Sequence, residues 1–148
     1  MENQERIWNN LSKQWNNFRN KPEPIVYHFL NKYTKNAGRV VDLGCGNARN
    51  LIPFHNFSCY AVDFSKKMLE KAKLTSEKCG LYINLYKTDL TKLQFKDNFF
   101  DYALMLASLH HIENKESRLK TLQELYRILK KDGIALITVW NKWQLKFL

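Results

Sequence analysis

The sequence predicts a single α/β domain, a mostly parallel sheet with helices on both faces. Short runs rich in Val, Ile and Tyr alternate with longer stretches of helical periodicity, and several of the runs are apolar at consecutive positions. Consecutive apolar residues mark strands buried on both faces, which requires a covering layer on each side. A chain of 148 residues is enough for one such core and too short for two.

From the N-terminus, Glu5 to Phe18 spaces Ile7, Leu11, Trp15 and Phe18 at helical intervals, which puts them on one face of a helix. Pro22 and Pro24 interrupt it, and Ile25 to Tyr33 reads as a second helix leading to a turn at Asn36 to Gly38. Residues 1–36 are thus expected to form a helical cover and residues 37–148 the sheet-bearing core of the same domain. Strands are expected at Arg39 to Leu43, Ser58 to Val62, Leu81 to Lys87, Tyr102 to Ala107 and Ile134 to Trp140. Ser65 is placed to cap a helix running to about Lys78. A further helix, Glu116 to Lys130, carries Leu119, Leu122, Leu125, Tyr126 and Leu129 on one stripe, closed by a Lys131-Asp132-Gly133 stop. In the third strand aliphatic residues alternate with aromatic or amide ones, so Tyr82 and Tyr86 are expected to face outward.

Composition narrows the setting. No apolar run approaches the roughly 18 residues of a membrane span, and the polar N-terminus lacks a secretory signal, so a cytoplasmic location is expected. Cys45, Cys59 and Cys79 are odd in number and lack metal-site spacing, which makes them reduced structural thiols and predicts no metal. Lys and Arg outnumber Asp and Glu 24 to 14, leaving a charge of +10. Such a field favours a polyanion such as nucleic acid, although a surface solvated by lysine accounts for it as well.

The chemistry concentrates in Val40-Val41-Asp42-Leu43-Gly44-Cys45-Gly46-Asn47, a buried strand running into a glycine turn that opens a helix. Glycines there let the backbone turn sharply and approach a ligand closely. Arg49 stands where a dinucleotide fingerprint has its third glycine, and that weakens the dinucleotide reading. About 20 residues downstream, Asp63 ends the second strand, where an acid can accept hydrogen bonds from ribose hydroxyls. Asp89 ends the third, where a carboxylate can receive an exocyclic amine. Each acid alone also reads as a brace, a cap or a turn residue. Three at the carboxyl ends of consecutive strands enclose one crevice at the point where strand order reverses.

The set Asp42-Leu43-Gly44-Cys45-Gly46-Asn47, Val62-Asp63-Phe64-Ser65, Thr88-Asp89-Leu90, Phe100-Asp101-Tyr102 and Leu125 to Gly133 resembles the class I S-adenosylmethionine-dependent methyltransferases over nearly the whole chain after Gly38. The resemblance implies a Rossmann-like sheet. It places Asp42, Gly44, Cys45, Gly46 and Asn47 at the methionine moiety, Asp63 at the ribose, and Phe64, Asp89 and Leu90 at the adenine, with Leu106 in the same cofactor set. Ala48 replaces a glycine common in that family.

Trp15 to Pro22, Gly46 to Leu51, Leu109-His110-His111-Ile112, and Val139-Trp140-Asn141 with Gln144 are similar to the tRNA wobble-uridine branch, including the methyltransferase domain of the AlkB-like tRNA hydroxylase. That likeness implies RNA binding and esterification of 5-carboxymethyluridine in tRNA, with Arg19, His110, His111, Arg118 and Asn141 as candidates for holding the substrate carboxylate. It also implies a small zinc-binding activator subunit at the third-strand edge. Trp140 and Trp143 are equally open to base stacking or core packing, and Lys120, Lys130, Lys131, Lys142 and Lys146 to phosphate contact or solvation. The chain stops at Leu148, where the family's sheet continues into a terminal hairpin. A lacking hairpin would leave Ile134 to Trp140 as an apolar edge, in a shortened protein, a truncated chain or a self-associating one. A small-molecule O- or N-methyltransferase and a non-catalytic methyltransferase-like binding subunit remain alternatives.

Overall fold

The computed structural model describes residues 4–11 and 19–141; Trp15, Phe18, Lys142, Trp143, Gln144 and Lys146 lie outside them. Five strands, β1 (Gly38–Leu43), β2 (Phe57–Asp63), β3 (Ile83–Lys87), β4 (Phe100–Leu106) and β5 (Leu129–Thr138), pair in the order β3-β2-β1-β4-β5. Every pairing is parallel. The order reverses between β1 and β4, which opens a crevice at the carboxyl ends of those strands.

Four helical segments surround the sheet: α1 (residues 4–11), α2 (Pro24–Tyr33), α3 (Lys66–Cys79) and α4 (Lys115–Ile128). Alternating residues of the same strand feed opposite cores. Val40 packs with Val26, Phe29 and Ala72 on the side of α2 and α3, while Val41 and Leu43 pack with Leu125 and Ile128 of α4. The expected two-sided sheet is therefore present. α3 begins as its sequence dictates, with the Ser65 hydroxyl accepting from the Met68 amide at 3.2 Å, and ends on left-handed Gly80.

Four expectations are corrected. α4 stops at Ile128, because Lys131-Asp132-Gly133 forms a bulge inside β5 where the register against β4 shifts between Phe100 and Tyr102. A Cβ at Gly133 would lie 2.9 Å from the Lys130 carbonyl oxygen, so the glycine serves a close backbone approach within the bulge. The buried row of α4 is Thr121, Leu125 and Ile128, while Leu119 and Tyr126 face solvent. Thr121 tolerates burial because its hydroxyl donates to the Ser117 carbonyl at 2.9 Å. Tyr82, just before β3, is exposed as expected, but Tyr86 within β3 stacks on Tyr60 and meets Phe95 edge-on, so it faces inward. The glycine turn leads into a 3₁₀ turn, Arg49–Leu51, rather than an α-helix.

Candidate cofactor and acceptor site

A cavity of about 630 Å³ opens at the carboxyl ends of β1, β2 and β4. One wall is the turn after β1. Gly44 and Gly46 take left-handed backbone at φ 76° and 55°, and the Gly44 and Cys45 amides both donate to the Val62 carbonyl at 2.9 Å. Gly44 is glycine for two reasons: its φ, and the Ser108 side chain that stands where a Cβ would be. The Ser108 hydroxyl donates to the Gly44 carbonyl, tying the loop after β4 to the loop after β1. Ala48 adopts φ 58° without being glycine, and its methyl is fully buried in the core.

Asp63 organises this turn. One carboxylate oxygen accepts the Gly46 amide at 2.9 Å and the other the Ser65 amide at 2.9 Å. The carboxylate retains acceptor capacity for a hydroxyl donor. Burial pushes its acid up to about 6 against the opposing pull of the Ser65, Gly46 and Phe64 amides. Asp42 lies beneath the turn, 1% exposed, with its Oδ2 unpartnered among the described residues. Burial, reinforced by the Asp63 charge and opposed by Arg49, raises the Asp42 acid to about 7. Burial likewise holds the Cys45 thiol well above its ordinary value, so it stays protonated and is no nucleophile.

Asp89 sits two residues beyond β3 in a tight turn, where its Oδ1 accepts both the amide and the hydroxyl of Thr91 at 2.8 Å. The turn-residue reading is thus satisfied, and Asp89 still lines the cavity together with Phe64, Leu90 and Leu106. Of the ten residues expected at the cofactor, all but Asp42 line the cavity.

The N-terminal segment closes the crevice from above. The Asn47 side-chain amide donates to the Arg19 carbonyl at 2.8 Å, and Asn50 Oδ1 accepts the Glu23 amide at 2.9 Å. Arg49 completes the clasp, donating to the Lys21 carbonyl at 2.6 Å and to the Glu23 carboxylate at 2.5 Å. α1 lies across the ends of β2 and β3 through Glu5 with Lys87 at 2.7 Å and the Ser65 hydroxyl donating to Asn9 Oδ1 at 2.6 Å. Its Gln4 and Trp8 line the cavity, whereas Ile7 and Leu11, the expected apolar row, are 42% and 38% exposed.

The remaining wall comes from the loops after β4 and β5. Arg19 and His111 line the cavity; His110, Arg118 and Asn141 do not. Arg118 donates to the Ile112 carbonyl at 2.7 Å and so braces the loop that carries the histidines. Burial depresses the pKa of both His110 and His111, His111 also through the charge of His110. Gln4, Trp8, Ser108 and Thr138 belong to the site without any sequence signal in their spacing.

Strand order, the glycine turn and the acids at the ends of successive strands define a Rossmann-like class I methyltransferase fold. The chain belongs to the methyltransferase domain family, whose model matches residues 41–137. It is 28% identical over 135 residues to tRNA (carboxymethyluridine(34)-5-O)-methyltransferase alkbh8 of Xenopus tropicalis, across 91% of this chain and 20% of that one. To the Schizosaccharomyces pombe tRNA (carboxymethyluridine(34)-5-O)-methyltransferase it is 32% identical over 136 residues, 91% of this chain and 56% of that one. The chain therefore spans well under two thirds of either relative. A SAM-dependent methyltransferase from Aquifex aeolicus superposes with a TM-score of 0.71 at 25% identity, covering 80% of this chain and 65% of that one.

Family and fold imply S-adenosylmethionine as the cofactor, and the residues present fit it. Asp63 and Asp89 offer acceptors for hydroxyls and an amine, Phe64, Leu90 and Leu106 offer apolar contact for a planar base, and the acidic lining suits a cationic sulfonium.

Proposed function

We propose that the chain is an S-adenosylmethionine-dependent methyltransferase that esterifies the carboxylate of 5-carboxymethyluridine at the tRNA wobble position. The observation that supports this reading is that one cavity is lined by Gly44 to Asn47, Asp63 and Asp89 together with Arg19, His111 and Trp140. The names of the two tRNA methyltransferase relatives support the acceptor.

The cofactor would supply an electrophilic sulfonium methyl, and its transfer to a carboxylate oxygen forms an O–CH₃ bond, breaks S–CH₃, cancels both charges and releases no proton. A carboxylate with a pKa near 4 is ionised at neutral pH, so no residue is needed as a general base. Asp63 and the glycine turn would hold the donor, while Arg19 and His111 would orient the acceptor. Bringing the two into line supplies most of the acceleration. The high thiol pKa of Cys45 argues against a covalent intermediate on that residue.

Two measurements test this. Calorimetric titration with S-adenosylhomocysteine should give one saturable site. Labelled cofactor incubated with tRNA bearing or lacking 5-carboxymethyluridine, then digested to nucleosides, should put label only in the wobble-position ester. Absence of cofactor heat rejects the methyltransferase activity, and label in another nucleoside rejects this acceptor.

A further inference from the structure

Four rings line up along the acceptor wall: Trp8 meets His111 edge-on at 5.0 Å, His111 and His110 are 4.2 Å apart, and His110 lies against Trp140 at 4.8 Å with planes tilted by 34°. His111 also meets Trp140 edge-on at 5.5 Å. Trp140 is 51% exposed and lines the cavity, and His110 is packed against it without lining the cavity itself. A half-exposed indole is a large apolar surface left in water, and in a cavity mouth it is a ready partner for a planar group.

The hydrogen bonding around the stack points the same way. The Trp140 backbone amide donates to His110 Nδ1 over 3.5 Å, so neutral His110 carries its proton on Nε2. That Nε2 is buried and unpartnered among the described residues, as is Nε2 of His111. The wall thus combines a half-exposed indole at the cavity mouth with a histidine pair packed against it.

We infer that Trp140 is the stacking platform for the acceptor nucleobase and that His110 is a positioning residue, which sets the Trp140 ring while His111 faces the base. This rests on the proposed wobble-uridine reading and assigns the residue that holds a base there. Stacking tolerates any base, so Trp140 contributes affinity and orientation, and the identity of the base is read by its polar edge.

The test uses the full chain and an anticodon stem-loop RNA carrying 5-carboxymethyluridine, comparing wild type with Trp140→Leu, Trp140→Phe, His110→Ala and His110→Asn. For Trp140→Leu, KM for the RNA should rise roughly 5- to 150-fold, the range that loss of one base stack gives, with kcat changing far less. Trp140→Phe should recover most of that loss. His110→Asn, whose Oδ1 can still accept the Trp140 amide, should recover most of the KM increase seen in His110→Ala. S-adenosylhomocysteine binding should stay within about twofold of wild type throughout, which also reports a folded site. An unchanged KM in Trp140→Leu, or a Phe variant as poor as Leu, overturns the platform while leaving the methyltransferase reading intact. A wild type that binds S-adenosylhomocysteine but leaves the RNA unmethylated overturns the acceptor reading and the platform with it.

Discussion

Asp42 and Asp63 show what the site costs the fold. Both acids bind protons more tightly in the folded chain than at the ordinary value of 3.8, with Asp42 at about 7 and Asp63 at about 6. A group raised in this way stabilises most below its unfolded pKa, and that stability is lost as pH rises through the folded value. The cofactor-free protein should therefore lose stability between about pH 4 and 7 through these two groups. The depressed His110 and His111 act oppositely, withdrawing stability as pH falls below 6.5. Asp42→Asn removes the larger acidic penalty and leaves the histidines in place. In urea titrations it should gain on the order of 2 kcal/mol at pH 8 and nothing at pH 4. An equal gain at both pH values would show that charge is not the cause. Asp63 has a different balance, because its oxygens hold the Gly46 and Ser65 amides. Asp63→Ala should weaken S-adenosylhomocysteine binding by about 1–3 kcal/mol, read by calorimetry, through loss of charge-assisted acceptors. Unchanged affinity would move the ribose elsewhere.

At the scale of elements, the cover is joined to the sheet by the 3₁₀ turn that follows the glycines. Arg49 is the centre of that joint, its side chain 12% exposed and bonded to both Lys21 and Glu23. Arg49→Ala should cost about 1–2 kcal/mol in chemical denaturation, the low end for charged hydrogen bonds because the Glu23 side chain is 42% exposed. Glu23→Gln, which keeps the Lys21 bond, should cost less than half as much, and equal losses would assign the whole effect to the ion pair. Arg49 was legible in the sequence as a misfit to a dinucleotide loop and as part of the Gly46 to Leu51 resemblance, not as a clasp; that clasp joins segments nearly 30 residues apart, which local spacing does not encode. The same limit explains the other differences. The acids at or near the carboxyl ends of β1, β2 and β3 were readable because strand ends are local and the crevice follows from topology. Ser108 against Gly44, Trp8 against His111 and Tyr86 against Tyr60 were not, because each is fixed by packing between distant elements. α4 was misphased because Thr121 is polar by type and apolar by circumstance, its hydroxyl satisfied within its own helix.

Across the whole molecule the charge is divided by function. The chain carries +10, yet the cavity is lined by Glu23, Asp63, Asp89 and Glu113 against Arg19 and Arg49, an excess of acid. An acidic hollow would favour a sulfonium cofactor and a basic exterior a polyanionic acceptor, so the two surfaces would suit ligands of opposite sign. The two associations should then respond differently to salt. If tRNA binding neutralises about five phosphates, log K should fall by roughly 4 per decade of salt between about 0.05 and 0.3 M. Over the same range S-adenosylhomocysteine affinity should change by no more than about twofold, because its contacts are hydrogen bonds within the cavity, where screening is weak. Filter binding for the RNA and calorimetry for the nucleoside measure the two slopes on one preparation. An RNA slope shallower than about −1 would reduce the positive charge to solvation of a lysine-rich surface. A cofactor slope as steep as the RNA slope would mean that the long-range field, rather than the acids at the strand ends, governs the cavity.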